Sequence, residues 1–311
     1  MLLFQLNVTA ADCVIPSGEC IGVKMYTDGL LVVGTTSVTD ISGKKNSPAD
    51  DSGITKGDVI KCINGEKAVS NEMLSSVVSG SNGTVTLTVE SGGAEREVSM
   101  APAITDSGPK LGLWLRDSTA GLGTMTYTDG TAFAALGHAV CDVDTGNIMP
   151  IDRGIIQNCT ITSIEKGGAG DPGAVTGDIN GSVLGSISAN TEHGLFGELY
   201  SEPQGTPIPV ASPSEVRTGD AVILADVDGN GVMQYSIKIK RVAPPSSSGK
   251  DLVIEVTDAA LIEKTGGIVQ GMSGAPILQN GKLVGAVTHV FVNDPLSGYG
   301  ILANNMMSSN G

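Results

Sequence analysis

This chain has little of what several protein classes need. Aromatics make up 3% of its 311 residues. Any core must therefore be built mostly of Val, Ile, Leu and Ala, and the first two favour strands. Eighteen Lys and Arg stand against thirty-three Asp and Glu, a net charge of −15, and the basic residues are not clustered. A nucleic-acid partner needs such clusters to neutralise phosphates, so none is expected, and an acidic membrane surface is equally unexpected. The three histidines are scattered, and five cysteines (Cys13, Cys20, Cys62, Cys141 and Cys159) include no C-x-x-C pair. Zinc needs clustered ligands, so no metal is expected. The cysteines read as mostly buried small apolar residues. No apolar run reaches the roughly 18 residues of a transmembrane helix. The opening MLLFQLNVTAADCVIP lacks Lys and Arg, and its apolar stretch is too short for a standard signal peptide. Either the protein begins in the cytoplasm as written or this N-terminus is incomplete.

What is present is turn-rich and strand-rich. Forty-three glycines and fourteen prolines punctuate a chain that is 40% apolar and long enough for two domains. After an N-terminal extension (1–19), CIGVKMYTDGLLVVG reads as two short strands around Asp28-Gly29. A loop follows, then a Gly-Asp pair leading into VIKCI and an Asn64-Gly65 turn. NEMLSSVVSG (71–80) has helical spacing, and GTVTLTVESGGAEREVSM is a hairpin. This order resembles a PDZ domain over residues 20–102, most specifically in SGITKGDVIKCINGE. PDZ domains capture a peptide as an added strand beside their helix. Here GLLVVG stands where the usual form is GLGF. A second domain is expected over 103–311; from Leu111 onward its pattern is nearly all β, with turns every 8–20 residues or so, which predicts a closed all-β architecture. Residues 167–182 and 243–251 read as surface loops. DVDGNG (226–231) matches the start of a calcium loop, but the twelfth position is Ile237 and strands flank it, so a hairpin turn is expected.

QGMSGAPILQNGKLVGAVTH (270–289) sets Ser273 on a glycine-flanked corner before a hairpin. A serine hydroxyl needs a base, an acid to hold that base, and donors for the oxyanion. The N–H groups of Gly271 and Ser273 are the candidate donors. The base must be His138, His193 or His289. His289 reads as a core residue within a strand, and the small neighbours of His138 leave its ring accessible. His138 is therefore the preferred base. For the acid, Asp142, Asp144 and Asp258 stay open, and Asp258 reads equally well as a helix N-cap.

The segment TGGIVQGMSGAPILQNGKLVGAVTHVFVNDPLSGYGI is similar to the SpoIVB peptidase family. So are VIPSGECIGVKM, LRDSTAGLGTMTY, ALGHAVCDVDTG, TITSIEKG and VTDAALIEKTGGIV, in the same order. The resemblance implies a mainly β protein, with a small α+β PDZ-like domain followed by a chymotrypsin-like domain of double β-barrel type. It implies a serine endopeptidase with the triad His138, Asp258 and Ser273 and no cofactor. It also implies a role in endospore formation, in the space between forespore and mother cell. There the enzyme would cut a regulatory membrane protein and itself, and so trigger sigma-factor processing. The PDZ-like domain would bind a peptide or the chain itself. Three departures from the family are the missing N-terminal hydrophobic anchor, Ala275 where Ser is familiar, and a C-terminal ANNMMSSNG shorter and more polar than the family's tail. The rivals are a general trypsin-like quality-control protease, whose PDZ domain would follow the protease, and a non-catalytic PDZ scaffold.

Overall fold

The computed structural model describes residues 13–308 apart from 82 and 247; most of the expected N-terminal extension and the last three residues lie outside them. The protein is mainly β and comprises two compact units, each made of separated segments. Among the described residues, one unit holds 13–23, 121–140 and 155–308; the other holds 24–120 and 141–154.

In the first unit, six strands close a barrel in the order Gly219–Ala225, Met233–Val242, Leu252–Val256, Asp294–Leu302, Lys282–Phe291 and Pro276–Gln279. The sequence dictates this by alternation. In MQYSIKIKRV, Tyr235, Ile237 and Ile239 are buried while Ser236, Lys238 and Lys240 face out. Leu252, Ile254 and Val256 repeat the pattern on the paired strand. Ile223, Ile277, Val284 and Val287 complete the barrel core, each Ile or Val contributing roughly 1.5–3 kcal/mol on full burial. Asn280 (φ 53°) and Gly281 (φ 75°) form the tight turn before the last pair. A second antiparallel path runs Ile208–Pro209, Cys13–Pro16, Leu113–Asp129, Ala132–Ala135, Gly194–Leu199, Val183–Thr191, Ile151–Asn158. The DVDGNG stretch is the turn joining the first two barrel strands, as expected.

Three local expectations change. Cys20–Thr35 is one strand, not two runs; Gly29 (φ 104°) takes up the bend without ending it. Leu113–Asp129 is likewise continuous, where LGLWLRD and GLGTMTY read as separate strands. The expected loop 167–182 contains a strand, Ala174–Asp178, paired with Thr160–Glu165.

In the second unit, Val59–Ile63 pairs with Leu30-Leu31 on one side and Val85–Ser91 on the other, and Ala94–Met100 follows. Ser70 caps the Asn71–Gly80 helix by accepting from Met73 N–H. The Gly-Asp pair has a structural purpose. Gly57 takes φ 97°, and the buried Asp58 carboxylate accepts from Thr55 N–H and the Ser91 hydroxyl. A cavity of about 460 Å³ is lined by Thr36, the helix residues Leu74 and Val78, and the chain's own segment Pro109–Leu113.

Candidate active site

Ser273 lies on a turn in which Gly271 (φ 101°) and Gly274 (φ 98°) both adopt left-handed backbone. The turn is fastened from below by Thr124. Its N–H donates to the Ser273 carbonyl (2.9 Å) and its hydroxyl donates to the Gly271 carbonyl (2.8 Å). Met272 N–H donates to Val269 and Gly274 N–H to Val287. The N–H groups of Gly271 and Ser273, between them, make no hydrogen bond among the described residues. Two uncommitted donors flanking a serine are what an oxyanion site requires. The Ser273 hydroxyl itself donates to the Thr288 carbonyl at 2.9 Å.

His138 follows a second tight corner. Leu136 (φ 69°) and Gly137 (φ 70°) are left-handed in succession, and Gly137 N–H folds back onto the Ala135 carbonyl. This corner packs on the serine turn: a methyl at Gly274 would stand 2.5 Å from the Leu136 nitrogen, and one at Gly137 would stand 3.0 Å from Thr288 Cγ2. Asn190 secures the chain just beyond, accepting from Val140 N–H and donating to the Val140 carbonyl, both at 2.9 Å. His138 Nδ1 lies 2.8 Å from the Ala139 carbonyl. A carbonyl can only accept, so in the neutral ring the proton sits on Nδ1 and Nε2 keeps its lone pair. Burial pushes the His138 pKa below its ordinary 6.5, the Ala139 carbonyl opposing it. Burial thus favours the neutral ring, the state a general base needs.

His289 departs from expectation. It is not a core residue but an exposed one, with its ring centroid 4.9 Å from that of His138. Its pKa is also pushed down, first by burial of part of the ring, then by His138 and Lys250. Two imidazoles this close cannot both be protonated cheaply, which further favours a neutral pair. His193 sits in the turn between Val183–Thr191 and Gly194–Leu199. Asp142 and Asp144 belong to the second unit and both pair with Arg116.

Asp258 is the N-cap of the Ala259–Thr265 helix. It accepts from the N–H groups of Ala260 (3.0 Å), Leu261 (3.1 Å) and Ser236 (3.1 Å). Burial raises its pKa, but these three donors outweigh it and leave the pKa below the usual value. Among the described residues, Asp258 has no hydrogen bond or ion pair to His138. The structure therefore packs the Ser273 turn against the Leu136-Gly137 corner that precedes His138, and puts Asp258 at the root of the helix that leads into the turn. An Asn at 258 keeps the two helix caps through its single carbonyl oxygen. Asp258→Asn is thus expected to keep activity within a few-fold, while Asp258→Ala costs ~1 kcal/mol of stability. Thermal melts beside peptide-hydrolysis rates check this. A loss near 10⁴-fold in the Asn variant at unchanged Tm would show that Asp258 serves the imidazole directly.

The sequence profile of the SpoIVB peptidase S55 family matches residues 108–307. The chain belongs to this family. It is a serine peptidase, and its substrate is protein. Among solved structures, it is similar to the Rv3671c protease of M. tuberculosis in its active form, with 15% identity and a TM-score of 0.37 over 61% of this chain and 72% of that one. The inactive form of the same protease gives 15% identity and a TM-score of 0.36 over 60% and 81%. No curated protein matches the chain. The family match contains His138, Asp258 and Ser273 together with Thr124 and Asn190, two residues that sequence reasoning missed. Nothing local marks Asn190. Thr124 carries only the faint signal of lying in GLGTMTY, a block shared with the family.

Proposed function

We propose that Ser273 is the nucleophile and His138 the base of this peptidase, with Gly271 and Ser273 N–H groups holding the oxyanion. The carrying observation is the pair of uncommitted N–H groups flanking a serine on the corner that packs against the histidine loop. Rotation of Ser273 about χ1 would move its hydroxyl from the Thr288 carbonyl toward the imidazole. Nε2 then accepts the hydroxyl proton as Oγ attacks the peptide carbonyl. The protonated ring, still tied through Nδ1–H to Ala139, returns that proton to the leaving amine. Asp258 acts on this pair as a positioning residue, through the helix it caps.

Family membership supports the finer reading: an endospore-forming host and extracytoplasmic action between forespore and mother cell. It also supports cleavage of a regulatory membrane protein and of the chain itself. We propose the second unit as PDZ-like, on the Val59–Ile63 strand that Gly57-Asp58 leads into and the Asn71–Gly80 helix. Leu111 is buried in that unit's core, and Asn71 Nδ2 donates to the Leu115 carbonyl. The groove beside the helix is thus already lined with the chain's own segment, which an incoming peptide would have to displace.

A fluorophosphonate probe should label Ser273, located by peptide mass mapping, and the label should vanish in His138→Ala. Label on another serine, or on none in the folded full chain whose Pro109–Leu113 segment is loosened by Leu111→Asp, overturns the assignment.

A further inference from the structure

Cys20 opens the Cys20–Thr35 strand, and Cys159 occupies the single-residue gap between Ile151–Asn158 and Thr160–Glu165. They are 139 positions apart in sequence, yet their Sγ atoms stand 3.0 Å apart. That is closer than two non-bonded sulfurs sit, and only about 1 Å beyond the covalent S–S length of about 2.05 Å. Neither is the deeply buried apolar residue the sequence suggested: both are half-buried, and Cys13 and Cys141 are exposed. We propose that Cys20 and Cys159 form a disulfide that clamps the nucleophile turn.

The clamp follows from what each cysteine adjoins. Beside Cys20, Gly18 N–H donates to the Met125 carbonyl and Met125 N–H to the Glu19 carbonyl. Met125 is the neighbour of Thr124, which fastens the Ser273 turn. Cys159 leads into Thr160–Glu165, which pairs with Ala174–Asp178. There Val175 N–H donates to the Gln270 carbonyl (2.8 Å), and Gln270 N–H donates to Gly173 (3.1 Å), one residue before Gly271. The two segments that hold the turn would thus be covalently joined.

The chemistry needs a disulfide oxidant such as oxidised glutathione. The shared hydrogen bond lowers the Cys159 pKa and raises that of Cys20, so Cys159 supplies the first thiolate. It attacks one glutathione sulfur, forming a mixed disulfide and expelling a glutathione thiolate. Cys20 then loses its proton, attacks Cys159 Sγ and expels the second glutathione thiolate. Two protein thiols are oxidised, one glutathione disulfide is reduced, and the two thiol protons end on two glutathiones.

The test is oxidation of the full chain with glutathione disulfide, alkylation, and non-reducing peptide mapping. The expected result is a Cys20–Cys159 cross-linked peptide, with Tm raised by roughly 5–15 °C over the reduced protein. In Cys20→Ser, the mixed disulfide on Cys159 should persist instead. Both cysteines alkylated after oxidation, or either joined to Cys13, Cys62 or Cys141, overturns the proposal. Mapping and melting do not depend on the catalytic assignment. A cross-link that leaves Tm and proteolytic clipping within 265–275 unchanged overturns the clamp.

Discussion

Ser273→Ala is expected to leave a folded protein whose kcat/KM for an unstructured protein substrate is about 10⁶-fold lower. The substitution removes one hydroxyl whose partner is the Thr288 carbonyl, so the stability cost is only about 1 kcal/mol. His138→Ala should fall by a similar factor. The reason is that a serine hydroxyl without a base is a weak nucleophile, whatever the oxyanion donors do. The double variant should be no worse than either single one, because the two side chains act in one step. Steady-state hydrolysis, with Tm measured on each variant, decides the matter. Either single variant retaining a tenth of wild-type activity would remove Ser273 and His138 from the mechanism.

Gly274→Ala should be nearly as damaging to activity and far more damaging to the fold. Position 274 has φ 98°, where a side chain is strained in any surroundings. A methyl there would lie 2.0 Å from the Thr124 carbonyl oxygen and 2.5 Å from the Leu136 nitrogen. Both are backbone atoms, one of the strand that fastens the Ser273 turn and one of the corner before His138, so neither can yield without moving Ser273 or His138. The expected loss is about 3 kcal/mol or more of stability, with hydrolysis reduced at least a hundred-fold. Gly281→Ala is the control. It also has positive φ (75°), but no atom lies within 4 Å of the added methyl. It should cost only about 1 kcal/mol and leave activity intact. Equal losses in the two variants would mean that backbone strain alone, not the packing of the two corners, sets the effect.

Both expectations depend on contacts that differ in how far they can be read from residues alone. The corner at Ser273 is legible because its cause is local. Two glycines around a serine permit backbone that other residues resist, and the Asn280-Gly281 turn fixes the register of the hairpin behind it. The barrel strands Met233–Val242 and Leu252–Val256 are legible for the same reason, since burial alternates residue by residue. The position of His138 is half-legible: its small neighbours suggested an accessible ring, but nothing suggested that Leu136 would take a left-handed φ. The family resemblance carried the choice among the acids. The geometry then gave Asp258 the capping role that its place before AALIEKT had allowed.

By itself, then, the sequence determined the mainly β architecture, the hairpins, the two helices 71–80 and 259–265, and the serine's glycine corner. Each follows from alternation, from turn chemistry or from capping within a few residues. Tertiary structure decided the rest. It made Ala174–Asp178 a strand, because a Gly-rich segment extends only where a partner such as Thr160–Glu165 takes up its backbone hydrogen bonds. It brought His289 out of the core to lie beside His138. It gave Thr124 and Asn190 their work on the two corners, and it set Cys20 against Cys159. These pairings join residues far apart along the chain, and hydrogen bonding and packing across such distances leave no periodic mark on the residues between them.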